Sequence, residues 1–158
     1  MPEVQIQSSW LSTTAPMVSW LLVVVGWFFV SRDQDKKQRR KEYRDRIDST
    51  IDLIDSIESD AISYFLIDGN NDQCPKLASN IKTNFTKLKS KLDVLNSIWN
   101  FDDHQSLRID FWLAVTGEDF EVKSRQRLQS YNERLSEISA LSNALTASLE
   151  VCYYNKQK

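Results

Sequence analysis

The feature that most constrains this chain is a long uncharged segment near its N-terminus. No Asp, Glu, Lys or Arg occurs over residues 4–31, and the apolar part of this segment is the twenty residues 11–30. A helix of that length is about 30 Å long, which matches the hydrocarbon thickness of a bilayer. The sequence therefore predicts a transmembrane helix over residues 11–30, preceded by a short extracytoplasmic tail over residues 1–10.

A cleavable signal peptide and a soluble core helix both fit this segment less well than a span does. A secretory signal peptide needs a basic N-terminal region and a cleavage site with small residues. The N-terminal tail has no Lys or Arg, and the apolar segment ends in WFFVSR. A core helix of a soluble protein needs a polar face, and residues 21–30 show none apart from Gly26. An uncleaved span is therefore favoured.

A cluster of basic residues follows the predicted span. Residues 32–46 contain eight Lys or Arg and four Asp or Glu. Positive charge beside a span marks its cytoplasmic side, so we expect a protein of the cell (inner) membrane with its N-terminus outside. Residues 31–46 should form a basic juxtamembrane helix. The residues expected against lipid headgroups, here called the basic collar, are Arg32, Lys36, Lys37, Arg39, Arg40 and Lys41.

Two interpretations of the basic collar remain open. It binds anionic membrane lipid, to which each juxtamembrane Lys or Arg adds about 1 kcal/mol, or it only fixes the topology. Nucleic acid is not expected as a partner, because no aromatic platform or recognition motif accompanies the charge.

The rest of the chain is predicted to be α-helical. With three Gly and three Pro in 158 residues, the tight turns of a β-rich fold are scarce. Apolar residues recur at helical spacing. The fold class is therefore all-α: a single transmembrane helix continues into a cytoplasmic antiparallel bundle of three long helices and one short one over residues 47–154, with a tail at 155–158.

The pattern also predicts where the helices begin and end. The first bundle helix should end near Asp68, before a turn, and the second should span 75–99. A short helix is predicted over 104–115, and the last helix over 118–154. In the alternative, the apolar faces of these helices pair between chains in an oligomeric coiled coil.

The first two bundle helices are predicted to form an antiparallel hairpin. In this hairpin the residue numbers of two facing positions add up to about 143. Ile62 then faces Ile81, and Lys82 lies near Asp60. Apolar rows and opposite charges agree on this alignment.

The chain shows no catalytic or metal-binding signature. Phosphate-binding loops, nucleophile elbows and Glu-x-x-His pairs are missing, and His104 is the single His. We therefore expect no enzyme activity, no catalytic residues, no cofactor and no metal site. Cys74 and Cys152 are expected at the end of the bundle farthest from the membrane, as thiols in a reducing cytoplasm.

Two groups of residues are candidates for protein contacts. Small side chains on one face of a span let two spans approach closely, which makes a homo-oligomer possible, although small residues are common in membrane helices. The small residues that share a face of the predicted span are Ser12, Ala15, Ser19 and Gly26. The second group is Phe111, Trp112 and Phe120. These aromatic residues either cap the bundle or form a docking surface for a partner protein.

Two functional hypotheses follow. The first is a non-catalytic interaction, scaffold or sensor subunit, anchored by a single span, whose bundle recruits a cytoplasmic protein partner. The second is an oligomerising effector that acts on the membrane, of the toxin, exclusion or phage-defence type. The small residues of the span and Trp20 near its middle suggest the second hypothesis. It requires oligomers, because one span without ionisable residues cannot line a polar pore.

Overall fold

In a computed structural model, all regular structure along the described residues is α-helical. The backbone is described for residues 9–99 and 104–156, and side chains are described for 20, 23, 25, 27, 31, 32, 34, 37–98 and 104–155. The helices are α1 (Ser9–Phe65), α2 (Cys74–Trp99), α3 (His104–Thr116) and α4 (Glu133–Lys156). The predicted all-α class is confirmed, as is the short third helix.

The described chain divides into two compact units at Tyr43 and Arg44, and α1 contributes residues to both. In the first unit, the side chain of Lys36 lies outside the described ones. The described residues of the basic collar, all of them exposed, are Arg32, Lys37, Arg39, Arg40 and Lys41.

The structure does not support the predicted transmembrane helix. Along the residues that it describes, no helix combines the length and the apolar character needed to cross a membrane. The backbone over 11–30 is helical as part of α1. Most side chains of this range, including those of Ser12, Ala15, Ser19 and Gly26, lie outside the described ones. The span and its self-association face therefore stay predictions.

In the second unit, α2 runs antiparallel to the bundle part of α1. Lys91 donates a hydrogen bond to the hydroxyl of Ser49 (2.8 Å), and Asn84 donates one to the hydroxyl of Ser56 (3.4 Å). The partner on α2 moves back along the chain as the position on α1 advances, so the helices point in opposite directions. In both pairs the two residue numbers sum to 140. The predicted sum was about 143, so the register differs from the prediction by less than one helical turn.

Lys82 lies beside a different carboxylate from the predicted one. Its ammonium group is 2.7 Å from Oε1 of Glu121. Asp60, the predicted partner, is half-buried, and this burial raises the pKa of its carboxyl group.

Helix α4 also runs antiparallel to α1. Ser139 donates a hydrogen bond to Glu58 (2.6 Å) in the later part of α1. Glu150, near the end of α4, accepts two hydrogen bonds from Arg44 (2.7 and 2.8 Å). Hydrogen bonding to Glu150, and then to Asp48, raises the pKa of the Arg44 guanidinium above its usual value. Helix α4 therefore returns toward Arg44, the residue at which the second unit begins.

This direction separates the two cysteines. Sγ of Cys74 is 3.2 Å from the carbonyl oxygen of Asp68, at the turn between α1 and α2. Cys152 precedes Tyr153, whose ring centroid is 5.4 Å from the Arg44 guanidinium. The prediction that both cysteines share one end of the bundle is wrong, because it assumed a last helix parallel to the first.

All four helices supply apolar side chains to the core of the second unit. Phe85 of α2 contacts Phe111 and Trp112 of α3, with ring centroids 5.2 and 4.8 Å apart. Each large apolar side chain that is buried contributes about 1.5–3 kcal/mol. The largest fully buried apolar side chains are Ile47, Ile54, Ile57, Tyr64, Phe65, Ile81, Leu88, Leu95, Phe111, Ile138, Leu145 and Leu149.

Residues 117–132 form an irregular segment, here called the crossing segment, where the sequence predicted the first turns of the last helix. Glu118 and Glu121 have φ values of 52° and 65°, in the left-handed region that a right-handed helix excludes. Tyr131, which lies within the range predicted for the last helix, is 82% exposed. The predicted start near Glu118 is therefore wrong, and α4 begins at Glu133.

Backbone hydrogen bonds hold the crossing segment against the end of α1 and the following turn. Gly69 N donates to Arg125 O, and Leu128 N donates to Phe65 O, both at 2.8 Å. Residues 122–128 lack the apolar spacing that would bury a helix face here. Arg125 N donates locally to Val122 O (3.2 Å), and the two hydrogen bonds above join this stretch to distant parts of the chain.

Gly69→Ala should destabilise the second unit, because a Cβ has no room between the turn and the crossing segment. It would lie 2.3 Å from the carbonyl oxygen of Val122 and 3.1 Å from that of Lys123. We expect the free energy of unfolding to fall by about 2–3 kcal/mol, measured by urea denaturation followed by circular dichroism. The exposed neighbour gives the control: Asn70→Ala should change it by less than about 0.5 kcal/mol. Equal losses in both variants would contradict a role for the close approach at Gly69.

Candidate functional site

The candidate site lies where α3 ends and α4 begins, and its geometry depends on the cap of α4. Oδ1 of Asn132 accepts a hydrogen bond from the backbone N of Arg134 (3.0 Å), which is an N-cap arrangement. The backbone N of Leu135 donates to the carbonyl oxygen of Asn132 (3.1 Å). This cap places Arg134 in the first turn of α4, beside the end of α3.

Arg134 closes the C-terminal end of α3. Its guanidinium donates to the carbonyl oxygens of Ala114 (3.0 Å) and Gly117 (2.7 Å) and to the carboxylate of Asp119 (2.6 Å). The same group lies over the ring of Phe65, 4.1 Å from its centroid. A planar guanidinium suits this task because its donors point in several fixed directions. The positive charge of Arg134 is therefore used within the fold.

Arg125 does the same at the C-terminal end of α1. It is 5% exposed, and it donates to the carbonyl oxygens of Tyr64 (2.9 Å) and Phe65 (3.3 Å). The guanidinium carbon is 4.5 Å from the ring centroid of Tyr64 and 5.2 Å from that of Phe65. The last carbonyls of a helix have no intrahelical donor and carry partial negative charge, which is what a buried cation needs.

A groove of about 710 Å³ lies between α3 and α4. Apolar lining comes from Leu113 and Ala114 of α3 and from Leu141 of α4. Leu113 is 57% exposed, which is unusual for so large an apolar side chain in a packed bundle. The acidic residues that line the groove are Asp110, Glu118, Glu133 and Glu137. We call this feature the acidic groove.

The electrostatic character of the acidic groove is strongly negative. Asp110, Glu133 and Glu137 are exposed, and none forms an ion pair within the described part of the chain. Glu118 is 3.8 Å from Arg134, the one basic residue among the described groove residues. Since Arg134 is committed to Asp119 and to the end of α3, it does not neutralise the other three carboxylates.

A second cavity, of about 440 Å³, lies at the turn between α1 and α2. It is lined by Asn70, Asn71, Cys74 and Glu121, among others. Its polar groups serve the fold: Asn71 Oδ1 accepts from the backbone N of Gln73 (2.9 Å), and Glu121 pairs with Lys82. Among the residues with described side chains, no group of three or more His, Cys, Asp or Glu is placed to hold a metal ion.

The structure places the predicted aromatic group inside the bundle. Phe111 is fully buried, whereas Trp112 and Phe120 are half-buried. Phe120 contacts Tyr64, with ring centroids 5.0 Å apart, at the end of the bundle that holds the crossing segment. This packing is compatible with the cap interpretation, and both the cap and a docking surface at these residues stay predictions.

Sequence reasoning missed both capping arginines and the acidic groove. Arg125 and Arg134 fell within the predicted last helix, where a charged residue is normally solvated. Two local signals were available: the missing apolar spacing over residues 122–128, and Asn132 followed by an acidic residue, which is typical of a helix start.

Comparison with protein-family models, with curated proteins and with solved structures finds no match to this chain.

Arg125→Met should destabilise the second unit while it retains most of the side-chain volume. The carbonyl oxygens of Tyr64 and Phe65 would lose their donor, and an unsatisfied buried polar group costs about 1–3 kcal/mol. We therefore expect a fall of about 2–3 kcal/mol in the free energy of unfolding, measured by urea denaturation. Arg127→Met, at an exposed position two residues later, is the control and should be nearly neutral. An Arg125→Met variant as stable as the control would rule out the capping role.

Proposed function

We propose that this chain is a single-pass membrane-anchored protein whose helical bundle binds a cytoplasmic protein partner without catalysing a reaction. The observation that carries the proposal is a set of large exposed apolar side chains on α1, followed directly by the exposed basic collar. The surface of α1, the charge of the collar and the features of the bundle each support it.

Apolar side chains on the first part of α1 are not covered by the described chain. Trp20 and Trp27 are each 72% exposed, Val23 is 63% exposed and Val25 is 42% exposed. In a helix, Val25 lies about 140° around the axis from Trp20, whereas Val23 and Trp27 lie on nearly the same side as Trp20. A helix that is apolar on more than one face is buried in a protein core or in a membrane. Because residues 11–30 carry no charge, we infer that lipid surrounds these exposed apolar side chains.

The basic collar supports both the membrane location and the orientation. Its described side chains are exposed, so their charges are accessible to anionic headgroups. Lys and Arg are enriched on the cytoplasmic side of spans. The proposed location is therefore the cell membrane, with the N-terminus outside and the second unit in the cytoplasm.

The second unit has the features of a binding module. Two capping arginines close the ends of its helices, and its surface carries a groove with apolar lining residues and unneutralised carboxylates. Such a surface offers contacts to a macromolecule. The sequence supplies no nucleophile, base and metal constellation that would favour catalysis.

Fractionation and cysteine labelling in bacteria that produce the chain test the anchor and its orientation. The chain should stay in the membrane pellet after alkaline carbonate extraction. In a Cys74→Ala/Cys152→Ala background, a membrane-impermeant maleimide should label Tyr131→Cys only after the inner membrane is permeabilised. Gln5→Cys, in the predicted outer tail, is the matched control and should react in intact cells. Release by carbonate, or labelling of Tyr131→Cys in intact cells, would refute the proposal.

The second candidate function is the oligomerising membrane effector, which the exposed Trp20 and the small residues of the predicted span favour. Expression should then depolarise the membrane and slow growth. Ser19→Leu/Gly26→Leu should abolish both effects by keeping the spans apart, whereas Val18→Leu should not. A wild-type chain that leaves the membrane potential unchanged eliminates this candidate.

A further inference from the structure

We propose that the acidic groove between α3 and α4 docks a basic amphipathic helix of the partner protein. This inference rests on the proposed function and specifies the chemistry of the partner. The docked helix would place apolar side chains on Leu113, Ala114 and Leu141 and its Lys or Arg residues opposite Asp110, Glu133 and Glu137.

The shape of the groove supports a helical occupant. Residues of two helices line it, and each helix supplies apolar lining: 113 and 114 on α3 and 141 on α4. An amphipathic helix binds a groove of this kind through apolar residues at i, i+3, i+4 and i+7. The 57% exposure of Leu113 leaves apolar surface for such a contact to cover.

The charge of the groove determines the class of occupant. Three exposed carboxylates have no ion pair within the described chain, and the guanidinium of Arg134 bonds to Ala114, Gly117 and Asp119. A basic helix would neutralise these charges from outside and be steered to the groove by their field. An acidic or neutral helix would meet repulsion or gain nothing from them.

A second copy of this chain is the main competing occupant, and the charge pattern disfavours it. The densest basic segment of the chain is the collar over residues 32–41, which the proposed function assigns to the lipid surface. A partner with its own basic amphipathic helix leaves the collar on the membrane. Self-association through the acidic groove would overturn the proposal.

The test measures binding of a fluorescent synthetic peptide to the 158-residue chain in nonionic detergent, with empty micelles as background. The peptide has about five helical turns, with Leu at i, i+3, i+4 and i+7 and Lys at the other positions. A matched peptide carries Glu in place of Lys. We expect the Lys peptide to bind, its affinity to fall with added salt, and the Glu peptide not to bind.

Two pairs of variants locate the binding surface. Asp110→Asn/Glu133→Gln/Glu137→Gln should weaken binding of the Lys peptide about tenfold. The control Asp52→Asn/Asp55→Asn/Asp93→Asn removes the same charge at exposed positions on α1 and α2 and should have little effect.

Leu113→Ala should weaken binding about three- to tenfold, whereas Val151→Ala, at an equally exposed position on α4, should not. Circular dichroism verifies that all variants are folded.

Several results would overturn the proposal. They are failure of the wild-type chain to bind the Lys peptide, equal binding of the Glu peptide, and equal losses in the two triple variants. A dimer of the wild-type chain, seen by light scattering, that disappears in Asp110→Asn/Glu133→Gln/Glu137→Gln would identify a second copy as the occupant. The outcome is separable from that of the proposed function. A membrane-anchored chain that ignores the peptide refutes only the groove proposal, and a carbonate-soluble chain that binds it refutes only the anchor.

Discussion

Among the described residues, the guanidinium of Arg125 is a buried cation that joins the end of α1 to the crossing segment. No described carboxylate pairs with it, and its charge is balanced by the carbonyl groups that end α1 and by the ring faces of Tyr64 and Phe65. To deliver Arg125 to this position, the crossing segment must pass beside Gly69, where only a hydrogen atom fits. That path excludes a continuous last helix. The end of one helix thus determines where another begins.

Arg134 repeats this arrangement at the end of α3, and the acidic groove follows from it. Its hydrogen bonds to Ala114, Gly117 and Asp119 use the available positive charge within the fold. The carboxylates of nearby residues are then left without a counter-charge at the surface. The negative charge of the acidic groove therefore reflects both its four acidic lining residues and the engagement of Arg134 in helix capping.

The helices that pack through local apolar patterns could be predicted from the sequence, and the features that depend on distant contacts could not. The apolar positions Ile81, Leu88 and Leu95 of α2 follow heptad-like spacing, and the structure buries all three. Arg125 resembles a solvated helix residue in its local context, because its partners lie about sixty positions earlier. Glu137 likewise looks like an ordinary surface carboxylate in the sequence. Its place in the acidic groove follows only from the packing of α4 beside α3 and from the hydrogen bonds of Arg134.

The route of the crossing segment has a consequence for the order in which the chain is made. The contact between Arg125 and Tyr64 spans 61 positions. During synthesis, α1, α2 and α3 therefore leave the ribosomal exit tunnel before Arg125, which caps the end of α1. Non-local closure of this kind slows folding. A nascent chain paused after α3 would leave apolar helix faces uncovered, which is the state that chaperones recognise.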